Sequence, residues 1–299
     1  SGGLVGSEMC IRDRTLSIFL AGTFIHAFPF IQQDWDWSSF RIMGVLQRIA
    51  LAYGIAAIMV IHLDLKKIFI SALGILIAYW GILWIGGGED PYSLEHNLIR
   101  KIDIFLLGES HLYGGTGIQF DPEGLLSTIP SVVTVLIGYL VGSMLHTTKD
   151  FLDNVKRMST FGIGLIIVGI IWGLLFPINK QLWTSSYVLF TGGIATLILS
   201  SLCFMIDIKK WKKPLWVFQI FGTNSIFLFV LSGLWTKIIL RLRFDLEGQS
   251  ISGYGYLYKT LFVPIGGDMF GSFLFAFAHL VGFWLILLWL YRKKIFINL

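Results

Sequence analysis

The sequence predicts an all-α, polytopic membrane protein, a bundle of about eight spanning helices. Three observations carry this. Of the 299 residues, 55% are hydrophobic and only 14% are charged, where a soluble domain has about a quarter charged. The mean hydropathy is +0.75. Apolar runs near the roughly 20 residues needed to cross a bilayer recur along the chain. This composition excludes a disordered chain and speaks against an ordinary soluble enzyme. The two cysteines, Cys10 and Cys203, make neither a disulfide framework nor a metal site, so no metal is expected. The net charge of +5 is no nucleic-acid signature in such a chain, because the placement of the charges matters more than their sum.

Residues 1–14, SGGLVGSEMCIRDR, have no helical periodicity, no initiator Met and no signal-peptide architecture. They resemble translated sequencing-adapter sequence and are expected to be non-native or disordered, with the real N-terminus then missing. A short native cytoplasmic tail is the alternative. From Thr15 the chain turns apolar, and a single transmembrane domain is expected over 15–299. The expected spans are 15–31, 42–62, 68–86, 125–146, 160–178, 183–206, 215–238 and 268–291. Aromatic residues at span ends read as interfacial anchors: Trp35, Trp37, Trp84, Trp183, Trp211, Trp216 and Tyr291. The many glycines suit close helix packing in lipid.

Orientation follows from the basic residues. One set of loops holds twelve, including Lys66, Lys67, Lys149, Lys156, Arg157, the KKWKK run at 209–213 and Arg292 to Lys294. The other set holds eight and is less dense. The first set is therefore placed in the cytoplasm with both chain ends, and loops 32–41, 87–124, 179–182 and 239–267 face outward.

Carboxylates gather on that outer side. Asp34 and Asp36 lie in the first outer loop. Glu89, Asp90, Glu95, Asp103, Glu109, Asp121 and Glu123 lie in 87–124. A solvated loop accounts for Glu89, Asp90 and Glu95. In FDPEG (120–124), Asp121 suits a helix N-cap, Pro122 the first turn and Glu123 the positive end of the dipole. The other reading holds Asp121 and Glu123 at a helix mouth, where one acts as a base. In RIMGVLQRIALAYG (41–54), Arg41, Gly44 and Arg48 fall on one helical face beside Gln47. A guanidinium within a span costs at least ~2.5 kcal/mol at the bilayer centre, so Arg48 is expected to meet a polar cavity or a carboxylate. That leaves an interhelical salt bridge or an anion site for a phosphate, a carboxylate or a developing oxyanion. Asn224 and His279 lie mid-span, where a lone polar residue usually ties helices together. Asn179 and Lys180 form a short outer turn before Trp183, able to lend a cation and an indole face to a site made by other loops. On these residues alone an enzyme and a multi-span transporter of a small anionic or sugar-like solute stand level. A non-catalytic partner docking through 87–124 is a third class.

Five stretches in order resemble a known family: RIMGVLQRIALAYG, KIDIFLLGESHLY (101–113), FDPEGLLSTIPSVVTVLIGYLVG (120–142), PINKQLWTSSYVLFT (177–191), and FGTNS with YRKKIF near the end. They are similar to the transmembrane acyltransferases of the heparan-alpha-glucosaminide N-acetyltransferase family and its bacterial homologues. The resemblance runs from Thr15 to Leu299. It implies transfer of an acetyl group from cytoplasmic acetyl-CoA to an amino sugar of an extracytoplasmic glycan, by a protein of about ten spans in the inner membrane of a bacterium. It also implies a catalytic histidine in a first hairpin that would precede Thr15, so this polypeptide is expected to be inactive as it stands. His26 does not match that position. The basic runs at 209–213 and 292–294 are then candidates to hold the nucleotide. Arg41, Gln47, Arg48, Asn179, Lys180, Trp183, Asn224 and His279 become candidates for substrate and thioester binding. His111, Asp121 and Glu123 become candidates to orient the sugar or assist the histidine. The lipid bilayer is the expected environment, nucleic acid is not expected, and homo-oligomerisation is left open.

Overall fold

A computed structural model describes residues 2–29, 36–145, 148, 150–211 and 215–297, with side chains from Met9 onward. Asp34, Trp35, Lys149, Lys212 and Lys213 lie outside the described residues. The chain forms two compact units, Ser1–Ala27 with Gln32–Trp211 and Phe28–Ile31 with Lys212–Leu299.

The first unit is a helical bundle. Helix α1 (Gly2–Ala27) begins at Gly2 rather than at Thr15. It ends short of residue 31, since Pro29 lacks an amide hydrogen and disfavours helical geometry at Phe28. Helix α2 (Val45–His62) packs antiparallel to it. Glycines set the spacing of the pair: Thr15 lies against Gly54, Gln47 against Gly22 and His26 against Gly44. Helices α3 (Leu65–Gly86), α4 (Leu98–Leu107), α5 (Leu125–Met144), α6 (Phe151–Gly173) and α7 (Ser185–Cys203) follow. A π-helical turn, Phe204–Ile208, extends α7.

The core joins α2, α3, α5, α6 and α7 through Ala52, Leu76, Val133, Leu136, Met158 and Val188. Helices α6 and α7 are in close antiparallel contact, with Ser159 and Ser200 hydroxyls paired at 2.9 Å. A Cβ on Gly193 would come within 2.6 Å of the Gly162 carbonyl, so this approach requires glycine. Helices α2, α3, α5, α6 and α7 alternate in direction, α3 and α5 being joined by the long 87–124 segment. One end of the unit therefore collects the segments around 36–44, 87–124 and 174–184. Lys66, Lys67, Lys156, Arg157, Lys209 and Lys210 lie toward the other end.

In the second unit, α8 (Trp216–Thr223) and α9 (Ser225–Arg241) are one expected span broken by 76° at Asn224. A hairpin follows where the sequence reading has only loop: β1 (Arg243–Leu246) pairs antiparallel with β2 (Gln249–Ser252), Phe244 opposite Ile251. Glu247 and Gly248 take positive φ (55° and 78°), as the two central residues of a type I′ turn do. Helix α10 (Gly253–Leu257) leads through a π-helical turn into α11 (Val263–Arg292), which kinks where Gly267 adopts φ 73°.

Six helices among the described residues are long and apolar enough to cross a membrane, or seven if α8 and α9 count as one span. The chain is a multi-pass membrane protein. The difference from the expected eight is α1. Its apolar part runs only from Thr15 to Ala27, behind Arg12, Asp13 and Arg14.

Candidate active site

The FDPEG turn organises the polar end of the first unit. It lies just before α5, which starts at Leu125, later than an N-cap at Asp121 would place it. Asp121 is fully buried and is not the cap. Its carboxylate takes a two-pronged ion pair from Arg41, Nε to Oδ2 at 2.9 Å and Nη2 to Oδ1 at 2.8 Å. The same Nη2 donates to Glu123 Oε2 at 2.9 Å. Arg41 also lies over the Tyr113 ring, 4.7 Å from its centre. Burial works against the Arg41 cation. Its hydrogen bonds and charge pairing with Asp121 and Glu123 outweigh that and raise its pKa above the ordinary value.

The capping group comes from elsewhere. Asp103, on α4, is fully buried and accepts from the Leu125 amide at 3.0 Å through Oδ1. Gly124 permits this, because a side chain there would collide with the Asp103 carboxyl. Burial pushes the Asp103 acid up to about 7. The Leu125 and Leu126 amides oppose that rise, Asp121 adds to it, and Arg48 opposes it. Asp103 Oδ2 has no hydrogen-bond partner among the described residues.

Arg48 is 4% exposed. It donates from Nη2 to the Pro122 carbonyl and, at 2.7 Å, to Ser127 Oγ. Its guanidinium lies over the Trp183 indole, 4.5 Å from the ring centre. Its close acceptors are neutral, and it makes no salt bridge among the described residues. Its Nε–H has no partner there either, and neither does the carboxamide of buried Gln47. The arrangement presents a fixed cation with an unused N–H at the mouth of a helix. Such a group binds an anion or polarises a carbonyl oxygen.

The Arg41–Gly44–Arg48 face expected from helical spacing does not exist. The helix starts at Val45, and Gly44 is extended. The two arginines meet because both reach the FDPEG turn. His111 donates from Nδ1 to the Phe40 carbonyl at 2.7 Å, and Ser110 donates to the Ser38 carbonyl at 2.5 Å, so these bonds join the 36–44 and 87–124 segments. His26 donates from Nδ1 to the Arg41 carbonyl at 3.0 Å.

Trp183 points inward rather than serving as an interfacial anchor, in contrast to Trp37 and Trp84, 70% and 66% exposed. Its indole N–H donates to Thr134 Oγ1 at 3.3 Å. Asn179 folds its own turn, Oδ1 accepting from the Gln181 amide at 2.8 Å, and Lys180 is exposed. Asn224 and His279 belong to the second unit. Asn224 accepts from the Ile297 amide at 2.7 Å and donates to the Ile295 carbonyl at 3.1 Å, so both ends of its carboxamide tie down the C-terminal segment. His279 donates to the Phe275 carbonyl at 2.8 Å and borders an apolar cavity of about 390 Å³ with Trp235, Phe275 and Phe283.

No protein-family profile matches the chain. The heparan-alpha-glucosaminide N-acetyltransferases of Homo sapiens and Mus musculus are each 29% identical to it over 250 residues, 65% of this chain. The chain resembles that acetyltransferase. The match takes in 37% of the human protein and 38% of the mouse protein, so the chain spans about two fifths of the relatives' length.

In this acetyltransferase-like chain, sequence reasoning singled out Arg41, Gln47, Arg48, Asp121, Glu123 and Trp183, which the first unit brings to one end. It grouped Asp103 with the loop carboxylates. The overlooked signal was periodicity: Asp103 follows Ile99 by four residues, on the face of α4 that both bury. Ser127 and Tyr113 carried no comparable signal.

Proposed function

We propose that this protein is a membrane acyltransferase that moves an acetyl group from cytoplasmic acetyl-CoA to an amino sugar of a glycan on the opposite face. The observation that supports this reading best is Arg48, a buried guanidinium held by neutral acceptors with one N–H unused. Acetyl transfer to an amine makes two demands on such a site. The thioester oxygen gains negative charge as nitrogen attacks, and a fixed cation in a low-dielectric site stabilises it. The amine must also give up its proton to a base. Asp121 is unsuited to that task, because both of its oxygens are bound to Arg41. Glu123 is held through one oxygen and is partly exposed, which makes it the better proton acceptor. Exposed Lys209 and Lys210, toward the opposite end of the first unit, attract the nucleotide phosphates. In this reading the carboxylate-rich end faces outward and both chain ends lie in the cytoplasm of a bacterial inner membrane.

A transporter of a small anionic or sugar-like solute is the second reading. The observation in its favour is the broken helix at Asn224, since discontinuous helices often form transporter sites. Against it, the freed polar group there is satisfied by the backbone of residues 295 and 297. Membranes from cells expressing the complete gene, supplied with acetyl-labelled CoA and glucosamine, separate the two. Acceptor-dependent appearance of labelled N-acetylglucosamine supports the acyltransferase. Uptake of solute without acetylation contradicts it.

A further inference from the structure

His279 is a polar side chain inside a span that ties no helices together. It lies halfway along the straight part of α11, residues 268–292. A lone polar residue at that depth usually bonds across to a neighbouring helix. His279 instead donates its Nδ1–H within its own helix, to the Phe275 carbonyl at 2.8 Å. With the hydrogen on Nδ1, the neutral ring presents a lone pair at Nε2. No hydrogen bond reaches Nε2 among the described residues. An ionisable residue within a span marks a functional site by default. Here the imidazole borders a cavity of about 390 Å³, within the size range of small-ligand sites. Trp235 of α9, Leu261 of the preceding π-helical turn, and Phe275, Gly282 and Phe283 of α11 line it, all in the second unit. The wall is otherwise apolar. Its only other side-chain heteroatom is the Trp235 indole nitrogen, a donor.

We propose that this cavity binds the hydroxyl end of a long-chain alcohol drawn from the bilayer, the hydroxyl donating to His279 Nε2. The chemistry of the wall selects this class. No Lys or Arg lines the cavity among the described residues, so an ionised carboxylate or phosphate would lose its water without gaining a counter-charge. A plain hydrocarbon would leave Nε2 unpaired. A hydroxyl donates one hydrogen and keeps lone pairs for an indole N–H. Leu261 and Ile286, 55% and 43% exposed, leave the cavity open at the helix surface, so a chain enters sideways from lipid. The Phe275 ring stands edge-on to the imidazole, 4.4 Å between centres, and restricts its rotation. Two wall residues, Leu261 and Phe262, come from the π-helical turn Tyr258–Phe262, a distortion that recurs at functional sites. The acyl-transfer scheme makes no use of His279, and this site stands whether or not that reading does.

The full chain, reconstituted in phosphatidylcholine nanodiscs, is labelled with a photoreactive hexadecanol, and the adducts are mapped by peptide mass spectrometry. Adducts are expected on α9 and α11 beside the cavity, and unlabelled hexadecanol should displace the probe where hexadecane and palmitate do not. His279→Phe, which keeps the position filled and apolar, should weaken labelling about tenfold through loss of the hydrogen bond. His279→Gln, which restores an acceptor, should recover part of that loss. Gly282→Leu is a second variant: nothing lies within 4 Å of a Cβ there, so the side chain fills the cavity rather than disturbing the packing. Its labelling should fall while the protein stays folded and monodisperse, so the decision does not hang on the folding of His279→Phe. Equal labelling of wild type and both variants overturns the proposal. So does displacement by hexadecane, which marks a groove filled by bulk lipid. Displacement by palmitate in preference to hexadecanol also overturns it, because the head is then an acid.

Discussion

Arg41 and Arg48 both reach the FDPEG turn, but their electrostatics differ. Arg41 is neutralised by two carboxylates, one of them fully buried. Removing it leaves Asp121 as an uncompensated buried charge, which typically costs about 3–5 kcal/mol. Arg41→Ala should therefore lower the thermal unfolding midpoint sharply in detergent, and Arg41→Lys should recover only part of the loss, because lysine lacks the two-pronged geometry. An unchanged midpoint for Arg41→Ala would remove the ion pair from the account. Asp103 makes a pH-dependent contribution of opposite character. Its folded pKa, about 7, lies above the ordinary 3.8, so the folded protein holds this proton more tightly than the unfolded chain does. The resulting stability is whole below the ordinary value and is lost as pH rises toward about 7. Unfolding measured between pH 3.8 and about 7 should show wild type weakening with pH and Asp103→Asn weakening less. Equal slopes would contradict a neutral Asp103.

Helix packing depends on contacts that hydrophobicity does not report. Gly193 and Gly164 both lie in apolar spans, but only Gly193 abuts a neighbouring backbone. Gly193→Ala should push α6 and α7 apart at about 1–3 kcal/mol, while Gly164→Ala, with open space around its Cβ position, should be near neutral. Similar unfolding midpoints for the two variants would contradict this close packing. The same distinction explains what the sequence made legible. Span positions for α2, α3, α5, α7 and α11 follow from runs of apolar residues. The cap of α5 did not, because it is Asp103, reached across a turn from another helix rather than Asp121. Nor did the break at Asn224, which depends on a partner segment 71 residues downstream. The β1–β2 hairpin was masked by an exposed, weakly alternating pattern.

At the scale of the whole molecule, the first unit gathers Arg41, Arg48, Asp103, Asp121 and Glu123 around one turn. The central claim is that Arg48 supplies positive charge to an acyl oxygen inside this bundle. The decisive measurement is kcat of acetyl transfer for the complete gene product and for its Arg48→Ala variant, at matched abundance in membranes. A fall of about a hundredfold or more is expected for Arg48→Ala. A kcat equal to wild type would contradict it.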